Sequence, residues 1–305
     1  MTHLALFGHG RWGKSIDRTL QNFPDVSVTI VGRDENPPVD VYGVIIATPI
    51  STHIDVALHF IERGTPTYIE KPVAASIEEV DRLLAAVEKS NTLVHVGHIH
   101  LYNPAFIRAK ELLPTLGRIR YLLFEGMNNG PFHKDVSVLW DWLPHPLYMS
   151  LCLLGAEPVS VQAWGINSLR FQEPSLYDLG IARFEFDTAS LVCIVNWLSP
   201  EKRTKMTIVG ENSSLVHADT ELQKLILYAG MGPGVDGMRV THQVPFVTYP
   251  TYESGWPLQR ELRAFVDAVQ AGSRDSSGLA LGAKIVYLIA AAHNSVQRNG
   301  QIVAC

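Results

Sequence analysis

Cysteine is scarce in this 305-residue chain: Cys152, Cys193 and Cys305 are too few and too scattered for a disulfide framework or a zinc site. That scarcity fits a reducing compartment, and the cytoplasm is the expected location. A basic excess is missing as well. Twenty-five Lys and Arg face 30 Asp and Glu, a formal net charge of −5 that leaves no footprint for nucleic acid. Unbroken apolar runs of the roughly 18 residues required for a membrane helix are also absent, so no membrane contact is expected. The opening Met1-Thr2-His3-Leu4-Ala5-Leu6-Phe7 lacks the basic region and cleavage pattern of a secretory leader and reads as a strand. No Gly-x-Ser-x-Gly elbow occurs, which leaves serine hydrolysis without support. His95, His98 and His100 crowd one segment, but no Asp, Glu or Cys cluster accompanies them, and no metal is expected.

What is present points to an α/β chain of two domains. The composition is 47% hydrophobic and 18% charged, enough to bury sizeable cores. Over residues 1–117, Val/Ile-rich runs at 4–7, 26–31, 41–47, 67–69 and 93–96 alternate with helical periodicity at 13–21, 53–63 and 76–88. Such alternation predicts a doubly wound parallel sheet of Rossmann type. Between the second and third strands, Pro37 and Pro38 leave no room for an ordinary crossover helix. From 118 to 305 the texture changes to successive strands at 118–125, 159–163, 181–186, 190–197, 205–209 and 222–228, then helices at 257–271 and 278–297. This predicts an α+β domain on a largely antiparallel sheet.

The most informative stretch is Gly8-His9-Gly10-Arg11-Trp12-Gly13, placed between the first strand and the first helix. Its first glycine permits a tight turn, its second lets backbone approach a pyrophosphate, and its third lets the helix pack on the strand. Arg11 and Trp12 open that helix, whose N-terminus favours anions. At the end of the second strand, Gly32 stands where an NAD site usually has a carboxylate, and Arg33 follows, suited to a 2′-phosphate. The cofactor expectation is therefore NAD(P), with NADP favoured over NAD. Asp34 is the alternative ribose ligand. A second glycine-rich stretch, Gly230 to Gly237, is interrupted by Pro233 and reads as a hairpin or loop.

Three further segments resemble the Gfo/Idh/MocA family of sugar and inositol dehydrogenases. They are Ala47-Thr48-Pro49 with His53, Glu70-Lys71-Pro72, and Asp141-Trp142-Leu143-Pro144-His145; the segment from Pro257 to Phe265 is also similar to the family's closing helix. The resemblance implies that Thr48, Pro49, His53, Glu70 and Lys71 lie at the cofactor and that Lys71 contacts both substrate and cofactor. It also implies a homodimer or homotetramer built on the open sheet face. Two departures stand out: Tyr148 replaces a frequent acid three residues after the histidine, and Leu101 replaces a frequent arginine.

The chemistry can be argued from the residues themselves. Hydride removal from a secondary alcohol needs a base for the hydroxyl proton, and a histidine titrating near pH 6.5 suits that work. His145 is the candidate base. Asp141, four residues earlier, would share a helical face with it and orient the imidazole. Lys71 would stabilise the developing alkoxide. His98, Asn103 and Tyr148 are candidate substrate contacts in a cleft between the domains. The expected substrate is a sugar, sugar derivative or cyclic polyol. The alternatives are a regulator that binds NAD(P) and a sugar without turnover, and a reductase of a non-sugar carbonyl or imine.

Overall fold

A computed structural model describes residues 1–305 except 33–34, 36–39, 134, 170–172 and 231–245. The Arg33 and Asp34 readings, the Pro37-Pro38 crossover and nearly all of the Gly230 to Gly237 stretch lie outside the described residues. In the N-terminal part the apolar runs become β1 (Thr2–Phe7), β2 (Val26–Val31), β3 (Gly43–Ile46), β4 (Thr67–Ile69) and β5 (Val94–Val96), separated by α1 (Arg11–Leu20), α2 (His53–Ile61) and α3 (Ile77–Ser90). The strands form one parallel sheet in the order β2-β1-β3-β4-β5. Alternation along β1 sends Leu4 and Leu6 to one side of the sheet and Ala5 and Phe7 to the other. Both faces are thus buried, which explains why these strands read as unbroken apolar runs. Ser76 caps α3 by accepting from the Glu79 N–H, whereas the Glu79 carboxylate reaches back to the N–H of Ala75.

The chain continues with α4 (Pro104–Glu111), α5 (Leu113–Leu116), β6 (Ile119–Asn129), α6 (Val138–Trp142), α7 (Pro144–Leu154), β7 (Ser160–Ile166), β8 (Leu179–Glu185), β9 (Ser190–Asn196), β10 (Leu198–Gly210), β11 (Ser213–Ala218), β12 (Leu225–Ala229) and β13 (Phe246–Thr248). It closes with α8 (Pro257–Gln270), α9 (Ser277–Gln297) and β14 (Val303–Ala304). Among the described residues, nine strands form the second sheet, in the order β13-β12-β11-β10-β6-β9-β8-β7-β14. It is antiparallel apart from the β6–β9 pair. Register separates its two faces: Leu122, Phe124, Cys193, Val195, Phe184 and Ala163 point into the core, while Tyr121, Ile181, Trp164 and Ile166 share the opposite, exposed face. That open face mixes these apolar side chains with charged ones, among them Arg183, Glu125 and Lys205.

The division into compact units differs from the linear boundary expected at residue 117. One unit combines Met1–Tyr102 with Gly255–Tyr287, and the other combines Asn103–Ser254 with Leu288–Cys305. The physical reasons are local. Leu262, Phe265 and Val266 of α8 complete the core over Leu4, Leu6, Ile45 and Tyr68. Arg263 donates to Asp25 at 2.9 Å and Gln270 to Thr2 at 2.9 Å, which pins α8 to the start of the parallel sheet. Conversely, Asn103 caps α4 and donates to Asp219 at 2.8 Å, tying α4 to the second sheet. The helix α9 is long and apolar enough to cross a membrane by length and composition, but half of it is buried within the fold, as for a core helix.

Candidate active site

The first unit builds a phosphate cradle at the carboxyl ends of β1 and β3, the point where chain connections diverge to opposite sides of the sheet. Gly8 has φ +88°, and a Cβ there would lie 2.5 Å from the Ala47 carbonyl oxygen. At Gly13 a Cβ would lie 1.9 Å from the carbonyl oxygen of Gly8. Both glycines are therefore required by packing. Gly10 differs, because a Cβ there would meet nothing within 4 Å. It is the N-cap of α1, which has no side-chain cap and no acidic residue in its first turn. The leading N–H groups of Arg11, Trp12 and Gly13 thus form an anion site open to a pyrophosphate. We expect Gly13→Ala to destabilise the protein by about 1–3 kcal/mol through overpacking, checked as a lowered Tm.

Glu70 braces this cradle from the end of β4. Its Oε1 accepts from the Trp12 indole at 2.5 Å and from the Tyr68 hydroxyl at 3.2 Å, and its Oε2 accepts from the Lys71 backbone N–H at 3.2 Å. Burial pushes its pKa up, opposed by the Trp12 hydrogen bond and the Lys71 charge. His53 is buried rather than open to a ligand. Its Nδ1 faces the Pro72 carbonyl at 3.0 Å and its Nε2 the Thr48 carbonyl at 2.9 Å, so it ties the Thr48-Pro49 turn to the segment after Lys71. Burial lowers its pKa. His98 lies beyond the end of β5 and His100 on the 3-10 turn Ile99–Tyr102. His98 is buried, and burial followed by the His95 charge takes its pKa down to about 3, leaving it neutral.

Sequence reasoning missed Glu35. Its carboxylate folds back over the end of β2 and accepts from the Gly32 N–H at 3.0 Å. A Cβ at position 32 would lie 3.0 Å from that carboxyl carbon, so glycine at 32 permits the fold-back. A carboxylate from three residues on thus lies at the end of β2.

In the second unit, Asp141 lies in α6 and His145 in α7, and Leu143 between the two keeps helical dihedrals (φ −61°, ψ −27°), so the backbone stays helical from one residue to the other. The Leu143 N–H bonds to the Leu139 carbonyl at 3.0 Å and the Leu147 N–H to the Leu143 carbonyl at 3.1 Å, while Pro144 and Pro146 have no N–H to add. The Asp141 carboxylate accepts from the Trp197 indole at 2.9 Å and lies 4.0 Å from His133 Nε2. His133 and Trp197 carried no motif that would have marked them in the sequence. The His145 Nδ1 is 2.8 Å from the Tyr148 hydroxyl. Tyr148 is fully buried and orients the imidazole. Asn103, read from the sequence as a substrate contact, has its carboxamide engaged by the Ala105 N–H and by Asp219.

Comparison with known proteins matches two family models. Residues 22–98 match an oxidoreductase family with an NAD-binding Rossmann fold, GFO_IDH_MocA, and residues 114–216 match the GFO/IDH/MocA C-terminal domain. A UDP-N-acetylglucosamine 3-dehydrogenase of Acidithiobacillus ferrooxidans is 29% identical over 66% of this chain and 63% of its own length. The chain spans less than two thirds of the length of the curated relatives it matches. A solved structure from Magnetospirillum magnetotacticum MS-1 is 29% identical, with a TM-score of 0.79 over 95% of this chain and 99% of that one. An inositol dehydrogenase homolog of Azotobacter vinelandii, complexed with NADH and myo-inositol, shares the fold at 17% identity, with a TM-score of 0.80 over 100% of this chain and 97% of that one.

Proposed function

The chain belongs to the Gfo/Idh/MocA oxidoreductase family, and on that premise we propose that it transfers a hydride between NAD(H) and a secondary hydroxyl or carbonyl of a sugar, sugar derivative or cyclic polyol. The observation that carries the reading is the uncapped N-terminus of α1, with open space at Gly10. It suits the pyrophosphate of a dinucleotide whose nicotinamide accepts or returns the hydride. The substrate class is supported by the names of relatives that act on a UDP-sugar and on inositol. In this proposal His145 is the general base. For its Nε2 to accept the substrate proton, Nδ1 must carry a hydrogen, and in this proposal it donates that hydrogen to the Tyr148 hydroxyl. Asp141 supplies negative charge beside the imidazolium that forms, and Lys71 a cation for the developing alkoxide. The open face of the second sheet, with Tyr121, Trp164, Ile166 and Ile181 exposed on it, is our proposed surface for a homodimer or homotetramer, and a reducing, cytoplasmic compartment remains part of the proposal.

For the cofactor, the NADP preference read from Gly32 and Arg33 gives way to NAD. Glu35 puts a carboxylate at the end of β2, where it would accept from a ribose diol and repel a 2′-phosphate. Fluorescence titration should show NADH binding at least about tenfold more tightly than NADPH, with Glu35→Ala removing most of the difference. Tighter NADPH binding by the parent protein would return the selection to Arg33.

A further inference from the structure

A second carboxyl lies buried close to Glu70. Glu261, on α8, has no exposed surface, and neither of its oxygens makes a hydrogen bond of ordinary geometry. The Tyr68 hydroxyl and the backbone N–H of His98 reach it only as weaker polar contacts. A carboxylate left in such a place without a partner is too costly to persist, so the group keeps a proton. Glu70 is in the opposite position. It accepts from Trp12, Tyr68 and the Lys71 backbone, and the Lys71 charge favours its ionised form.

Tyr68 joins the two carboxyls. It is fully buried and its one hydroxyl proton goes to Glu70, so its oxygen is left to accept. The crowding is tight: a Cβ on Gly97 would lie 2.7 Å from the Tyr68 hydroxyl and 3.0 Å from Glu70 Oε2. The other titratable groups around the pair are Lys71, His95 stacked on the Tyr68 ring, and Tyr102. Burial raises the pKa of both glutamates, and the charge of Glu70 raises that of Glu261 further, so Glu261 is the one that holds the proton.

We propose that Glu261 is a positioning residue. It is a neutral carboxylic acid that donates to Tyr68, turns the Tyr68 proton toward Glu70, and leaves Glu70 the single anion that holds the Trp12 indole and Lys71 backbone beside the glycine turn. The placement of the proton stands on the buried cluster alone; its consequence for NADH rests on the dinucleotide reading above. Raising the pH through the ionisation of Glu261 would set two anions against one oxygen and release Trp12. Stability and NADH affinity are therefore present at lower pH and lost as pH rises through the elevated folded-state pKa.

Infrared difference spectroscopy and NADH titration on the full chain test this, comparing the parent with Glu261→Gln and Glu261→Ala. The parent should show a protonated-carboxyl C=O band at neutral pH that Glu261→Gln removes. Glutamine can still donate to Tyr68, so its NADH Kd should stay within about twofold and lose the alkaline limb, while Glu261→Ala weakens binding about tenfold. Equal losses in the Gln and Ala variants, or no such infrared band, would overturn the proposal. If the parent binds no NADH, the dinucleotide reading fails, and the band alone decides the place of the proton.

Discussion

Gly10→Val should weaken NADH binding by about a hundredfold or more while the Tm stays close to that of the parent protein. The two halves of this result have separate causes. The Cβ of a valine at residue 10 would meet no protein atom within 4 Å, so the fold is expected to tolerate it. That same space is the approach path to the uncapped N–H groups of α1, and blocking it forfeits at least two charge-assisted hydrogen bonds to a pyrophosphate. Gly13→Ala supplies the contrast, because its Cβ would collide with the carbonyl oxygen of Gly8 and cost stability directly. Calorimetric titration beside thermal melting separates the outcomes. Unchanged NADH affinity in folded Gly10→Val would remove the cradle from the account.

His145→Ala should lower turnover by about 10² to 10⁴, the span of a positioned acid or base, with NADH affinity nearly intact. The base has to be presented as the Nδ1–H tautomer, and the hydroxyl 2.8 Å from Nδ1 is placed to accept that hydrogen. Tyr148→Phe should therefore lose turnover too, by less than the alanine variant, because the imidazole remains while its tautomer is no longer held. Steady-state rates with any active substrate measure both. A His145→Ala enzyme as fast as the parent would reject the base assignment.

The parallel half of the fold was legible because its inner strands are buried on both faces and glycine, proline or a cap marks the turns between elements. The runs at 26–31 and 67–69 coincide with β2 and β4. What escaped was set by contacts distant in sequence. β11 escaped because Ser213, Ser214 and His217 are polar residues buried in a central strand, where period-two alternation disappears. α8 joins the first unit because Leu262 and Phe265 fill a core whose other walls lie more than 150 residues earlier, a pairing no local pattern encodes. The site shows the same division. The glycine turn has a spacing rule, so it could be read. Glu35 and Glu261 have none: one matters because it folds back onto Gly32, the other because Tyr68 and Glu70 lie beside it. Asp141 and His145 were paired by spacing, and the backbone between them stays helical through Leu143 despite the prolines at 144 and 146.

The central claim is that this protein moves a hydride between NAD and a carbohydrate-like alcohol, and the direct measurement is the absorbance of reduced nicotinamide. Purified protein is incubated with NAD⁺ and a panel of cyclic polyols, sugars and UDP-sugars, and with NADH and the matching ketones. The account predicts substrate-dependent formation or consumption of NADH in at least one pair, lost in His145→Ala while that variant still binds NADH. Tight NADH binding with no turnover across the panel in either direction would contradict it, leaving a dinucleotide- and sugar-binding regulator or a reductase of non-sugar substrates.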